Sequence, residues 1–279
     1  MTYYLSFRSQ MTAGSIKDPR LFTGASGASA LTLVPETDYP RLFRQRNIVF
    51  VTHGFNVDGE EGINALGRFD QRLAATGAEL CIALLWPGDW WIPVVNYPFE
   101  GGDAAECGRR LAGFCKDNMA EATSLSFVSH SLGGRLILEA VQRLGRVGLR
   151  AHVLCLTAAA VDDDCLQQQY AGAVANCDEI ANLASKADRV LHYAYTVGDS
   201  IGDALGDSNK PFTGALGRYG PQRPSSPNVV PREIPQQLGY DHGDYLPPSA
   251  SIPNPANTKW QDATDFMIRA YRNQRQGWP

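Results

Sequence analysis

The sequence predicts an α/β fold, a mostly parallel central sheet with helices on both faces. A continuous apolar run at 47–52 and short segments apolar at their centres at 80–86, 125–129 and 152–156 have the length and composition of buried strands. Between them, at 60–76, 102–121 and 132–144, apolar residues recur at helical spacing. The two patterns alternate without an internal repeat, as crossover connections in one sheet require. With 279 residues and 44% hydrophobic content, a single domain over 1–279 is expected.

Each element has its own signal. Residues 1–10 alternate Tyr3, Leu5 and Phe7 against polar neighbours and predict a first strand. Residues 11–30, rich in Gly, Ala and Ser, predict a loop, and a short strand follows at 30–34. The helix at 60–76 places Ile63, Leu66, Phe69 and Leu73 on one face. Residues 176–187 read as a further helix. Residues 189–197 read as a strand, with Val190, His192, Ala194 and Thr196 set against Leu191, Tyr193, Tyr195 and Val197. From 202 to 258 the chain is loop-rich and holds most of the 17 prolines, a composition compatible with a lid. A last helix at 260–275 carries Phe266, Ile268 and Tyr271 to the sheet.

Composition narrows the function classes. A net charge of −4 without a basic run argues against a nucleic-acid partner. No apolar segment reaches the ~18 residues of a membrane span, and residues 1–8 lack the basic head and apolar core of a secretory signal. The six cysteines form no Cys-x-x-Cys pair, which suits reduced thiols and a cytoplasmic setting. The oligomeric state leaves no mark in the sequence.

The most informative stretch runs from the 125–129 strand into His130-Ser131-Leu132-Gly133-Gly134 and then a helix. A serine at the apex of a sharp strand-to-helix turn is a nucleophile elbow. Strand and helix pass so closely there that the residues two before and two after the serine must be small, here Ser129 and Gly133. The usual pattern has glycine at the first of these, so Ser129 is a departure. The turn exposes the Ser131 hydroxyl, and the Leu132 amide at the helix start faces any oxyanion formed on an attacked carbonyl. A second donor is expected from Phe55, because Gly54 after the 47–52 strand lets the backbone double back. His53 reads as a structural imidazole bonded within its own loop.

A serine hydroxyl needs a base to take its proton, and the base needs an acid behind it. In elbow architectures the order is serine, acid, histidine, on loops at one end of the sheet. His53 and His130 precede Ser131, while His152 and His192 fall within predicted strands. His242 alone lies downstream in a loop, inside Gly239-Tyr240-Asp241-His242-Gly243-Asp244-Tyr245. Asp199 follows the 189–197 strand and is favoured as the acid; Asp162, after the 152–156 strand, is the competitor. The acids at 162–164 have no further carboxylate or histidine at a metal-ligand spacing. Trp86, Trp90 and Trp91 form either an apolar wall for an acyl group or a loop folded on the core.

On these residues the chain resembles the α/β-hydrolase superfamily over nearly its full length. It is most similar to a bacterial branch with Thr-His-Gly-Phe-Asn after a central strand (here Thr52 to Asn56) and Ser-His-Ser-Leu-Gly-Gly at the elbow (Ser129 to Gly134). In that branch the residue at the Ser129 position varies, the acid follows a Tyr-containing strand (Tyr193 to Asp199), and a late loop supplies the histidine (His242, with Tyr245).

The resemblance implies a serine hydrolase of esterase or lipase type but no particular substrate; the expected reaction is cleavage of a small-molecule acyl ester through an acyl-enzyme, without a metal or organic cofactor. Ser131, Asp199 and His242 would act, with Phe55 and Leu132 as oxyanion donors. The same machinery could cleave an amide or thioester or pass the acyl group to another acceptor. A non-catalytic binding protein on this fold is the alternative from a different class. Halide- or epoxide-processing relatives normally carry aspartate at the elbow, so Ser131 argues against them.

Overall fold

Two strands buried along most of their length, β4 (Asn47–Thr52) and β6 (Ser124–His130), lie side by side and in parallel near the middle of the sheet. The computed structural model describes residues 1–279 except 13, 76, 89–96, 198–213, 223–224, 250–255, 275–276 and 279. Among the described residues, nine strands form one sheet in the order β3-β2-β1-β5-β4-β6-β7-β8-β9. The others are β1 (Thr2–Arg8), β2 (Ile16–Gly24), β3 (Thr32–Leu33), β5 (Glu79–Leu85), β7 (Ala151–Thr157), β8 (Cys177–Ala184) and β9 (Val229–Glu233). The run from β1 through β9 is parallel; only β2 and β3 pair antiparallel, at one edge.

Alternation along β4 shows why successive residues at its centre are all apolar. Ile48 and Phe50 enter one core, where Phe50 stacks on Phe127 of β6 at 5.2 Å. Val49 and Val51 enter the other. Helices α1 (Tyr39–Phe43), α3 (Tyr97–Asn118), α4 (Gly133–Arg146) and α5 (Ala171–Ala175) supply the first core; α2 (Gly59–Leu73), α6 (Arg189–Val197) and α8 (Lys259–Tyr271) supply the second. Each large apolar side chain so buried contributes about 1.5–3 kcal/mol. The start of α2 is set by a capping box, in which Asp58 accepts from the Glu61 amide and Glu61 accepts from the Asp58 amide.

Four expectations are corrected. Residues 11–30 hold β2, the strand next to the edge, which the two-residue β3 covers only at Phe22 and Thr23; its Pro19 and charged residues conceal it. Residues 176–187 are not a helix but contain β8. Ile180, Leu183 and Ala184 fall at helical spacing only because both faces of this parallel strand are buried. Residues 189–197 are helix α6 rather than a strand: Leu191 packs inward while Val190 and Tyr193 are exposed, so the apparent alternation does not follow burial. Within 202–258 lie a one-turn helix, α7 (Leu216–Tyr219), and β9, which extends the sheet by pairing with β8. Part of the lid-like segment, 202–213, falls outside the described residues. No helix among the described residues is long and apolar enough to cross a membrane.

Candidate active site

Ser131 sits where β6 gives way to α4, with φ of +55°, a left-handed conformation that a non-glycine residue adopts only when its surroundings impose it. Those surroundings are visible. The Ser131 amide donates to Thr157 O at 3.0 Å, and its carbonyl accepts from Gly134 and Ala160 amides. A Cβ on Gly133 would lie 2.5 Å from His53 O, so helix and β4 can approach only because that residue is glycine. Ser129, two residues before, is fully buried, and its hydroxyl donates to Cys155 O at 3.3 Å. The neighbouring strand β7 thus supplies an acceptor for the hydroxyl that serine brings to this position.

The turn after β4 closes against the same serine. A Cβ on Gly54 would come within 2.7 Å of Ser131 Cβ and 3.2 Å of its Oγ. Asn56, at φ +57°, donates its amide to Gly88 O, and the Trp86 indole donates to His53 O at 3.1 Å. His53 is structural in its contacts: Nδ1–H donates to Gly54 O at 2.8 Å, and the ring stacks on Trp86 at 5.5 Å. Burial pushes its pKa down to about 3, so the ring is neutral at ordinary pH.

His242 arrives from the loop after β9. Its Nε2 lies 2.7 Å from Ser131 Oγ, and its Nδ1 lies 2.8 Å from Asp188 Oδ2. Asp188 Oδ2 can only accept, so Nδ1 carries the proton and Nε2 accepts from the serine hydroxyl. The Asp188 side chain is wholly buried. Its other oxygen accepts from the Leu191 amide at 2.9 Å, at the start of α6, and the Arg218 guanidinium donates to its backbone carbonyl. A dry carboxylate held at both oxygens is a rigid partner for an imidazole.

The structure therefore brings Ser131 and His242 together and adds a carboxylate that sequence reading missed. Asp199, favoured on sequence, lies outside the described residues, while the carboxylate on the imidazole is Asp188. Asp162 pairs instead with Ala215 in an isolated antiparallel bridge. The signal for Asp188 was present. It is the N-terminal aspartate of a helix, one short loop after a buried strand, and reading 176–187 as helix hid it. Leu132 is the N-cap of α4, directly after the serine. Phe55 is the residue after Gly54 in the β4 turn. Trp86 is buried against His53; Trp90 and Trp91 lie outside the described residues. No cluster of His, Cys, Asp or Glu able to hold a metal ion occurs among the described residues.

A hydroxyl, an imidazole and a buried carboxylate in one line can move a proton from oxygen to nitrogen and stabilise the cation that results. Comparisons with known proteins bear on the family. A family model described as alpha/beta hydrolase of unknown function (DUF900) matches residues 41–216. No curated protein matches the chain. Among solved structures, a hyperthermophilic esterase from the archaeon Pyrobaculum calidifontis is similar at 12% identity and a TM-score of 0.45, covering 82% of this chain and 77% of that one. Apo Thermogutta terrifontis esterase 2 is similar at 10% identity and a TM-score of 0.43, covering 92% and 93%. Inhibited esterase B from Lactobacillus rhamnosis is similar at 11% identity and a TM-score of 0.43, covering 82% and 77%. The match to the family model, with the sheet itself, carries the assignment.

Proposed function

We propose, proceeding from the fact that this chain belongs to the alpha/beta hydrolase family DUF900, that it is a serine esterase working through an acyl-enzyme. The observation that supports this reading is the unbroken line from Ser131 Oγ to His242 Nε2 at 2.7 Å and from His242 Nδ1 to Asp188 at 2.8 Å. In this proposal Ser131 is the nucleophile, His242 the base, and Asp188, in place of Asp199, the acid.

His242 takes the hydroxyl proton as Ser131 Oγ attacks the ester carbonyl. The Leu132 and Phe55 amides hold the oxyanion, a contribution of about 3 kcal/mol for each such donor. His242 then returns the proton to the leaving alcohol, and Asp188 holds the Nδ1–H tautomer and stabilises the imidazolium. Water activated by the same imidazole attacks the acyl-enzyme carbonyl and frees the acid and Ser131. Each step returns its proton through His242, so no metal or organic cofactor is needed.

The reading extends to a single domain over 1–279, with 202–258 as the segment from which a cover would come. It extends also to a cytoplasmic setting, supported by six buried, unpaired thiols. The test is hydrolysis of p-nitrophenyl esters of graded chain length by the wild-type protein and by Ser131→Ala. Turnover that the substitution abolishes supports the proposal; equal turnover by both contradicts it.

A further inference from the structure

We propose that His130, the residue before the serine, is a positioning residue that fixes the reach of His242 by gripping its backbone carbonyl. The proposal rests on the serine-hydrolase reading and deepens it. His130 Nε2–H donates to His242 O at 2.7 Å. The His130 ring also packs 4.9 Å from the His242 ring and 5.8 Å from Tyr245, beneath the loop that carries the base.

That loop is well tied to the acid. The Asp241 carboxylate accepts from the Arg189 amide and guanidinium and from the His242 amide, and Ser185 Oγ donates to Tyr240 O at 2.8 Å. These contacts fix His242 against the segment bearing Asp188. Towards the elbow the ties are fewer. Among the described residues, two hydrogen bonds join the loop to the β6–α4 turn: Ser131 Oγ to His242 Nε2, and His130 Nε2 to His242 O.

The first of these two bonds cannot hold the base through a turnover. Once Ser131 is acylated its hydroxyl no longer exists, yet His242 must stay in place to activate water. The bond from His130 survives acylation, because it engages the backbone and not the reacting nitrogen. Its chemistry suits a permanent pin. A carbonyl only accepts, so Nε2 must carry the proton. The groups facing the ring are His242, His53 and Tyr245; burial, then the nearby His242, pushes the His130 pKa down to about 3. The ring therefore stays neutral while His242 cycles through its cation.

The test compares three substitutions. In His130→Gln the amide nitrogen stands near the position of Nε2, whereas in His130→Asn it falls short and in His130→Phe only the ring remains. Wild type and all three are measured for labelling of Ser131 by a fluorophosphonate, for kcat and KM on a p-nitrophenyl ester, and for the pre-steady-state burst. His130→Asn and His130→Phe should lose about 10- to 100-fold in kcat, the scale of a misplaced catalytic group, with no rise in KM. They should also show a burst followed by slow turnover, since deacylation suffers most. His130→Gln should recover most of the wild-type rate. Equal kcat in His130→Phe and wild type, or no recovery in His130→Gln, would overturn the proposal alone. Failure of the wild type to label at Ser131 would overturn the hydrolase reading and this proposal with it.

Discussion

Asp188 Oδ2 stands 2.8 Å from His242 Nδ1, although 54 positions separate the two residues along the chain. The carboxylate is buried, already accepts from the Leu191 amide, and follows β8, the second strand beyond the elbow strand. Asp188→Asn should keep the bond to the Leu191 amide through its side-chain oxygen, and with it the fold. Its NH2 would then face Nδ1, which must accept, so the ring proton moves to Nε2 and the base is lost. A fall in kcat on the order of 10³- to 10⁴-fold is expected, whereas Asp199→Asn and Asp162→Asn should retain most activity. Steady-state kinetics of the three variants check this, and a collapse confined to Asp199→Asn would reassign the acid.

Gly54→Ala places a methyl group 2.7 Å from Ser131 Cβ, on a turn whose serine is already in a left-handed conformation. Neither side yields easily, because the elbow is pinned by Thr157, Ala160 and Gly134. Loss of about 1–3 kcal/mol is expected from such overpacking, together with loss of Ser131 labelling. Urea unfolding and fluorophosphonate labelling measure the two effects. Wild-type labelling in this variant would show that the β4 turn does not constrain the serine.

Acid should weaken the fold through its buried histidines. Burial lowers the His53 pKa from the ordinary 6.5 to about 3, so between those values the unfolded chain binds a proton that the folded chain refuses. Stability present above 6.5 is therefore lost as pH falls towards 3, with this group contributing a slope of up to about 1.4 kcal/mol per pH unit. His130 acts in the same direction. Urea midpoints compared at about pH 7.5 and about pH 5 test the slope. His53→Asn, which retains a donor towards Gly54 O, should show a smaller pH dependence than wild type; an unchanged slope would remove His53 from the account.

How far the sequence reveals this molecule depends on where burial is symmetric. β4 through β7 are legible because strands buried on both faces are short, apolar at their centres and bounded by turns. The same double burial misleads at β8, where Ile180, Leu183 and Ala184 mimic a helical stripe. At α6, a short helix with Leu191 buried and Tyr193 exposed mimics a strand. That exchange moves the expected acid from one end of α6 to the other, from Asp188 to Asp199. Chain order and strand position still point to an acid after the second strand beyond the elbow, and only the identity of that strand was misread. Ser131 and His242 need no such count, since Gly133 marks one turn and the late glycine-flanked loop marks the other. The role of His130 is not legible in sequence, because a hydrogen bond to a distant backbone carbonyl leaves no residue pattern.

The central claim is that Ser131 becomes a nucleophile because His242 and Asp188 stand behind it. The most direct measurement is mass-spectrometric mapping of a fluorophosphonate adduct on wild type, His242→Ala and Ser131→Ala. A single adduct on Ser131 in the wild type, lost in Ser131→Ala and slowed at least about 10³-fold in His242→Ala, is the predicted result. Labelling of Ser131 at the wild-type rate without the imidazole, or an adduct on another residue, would contradict it.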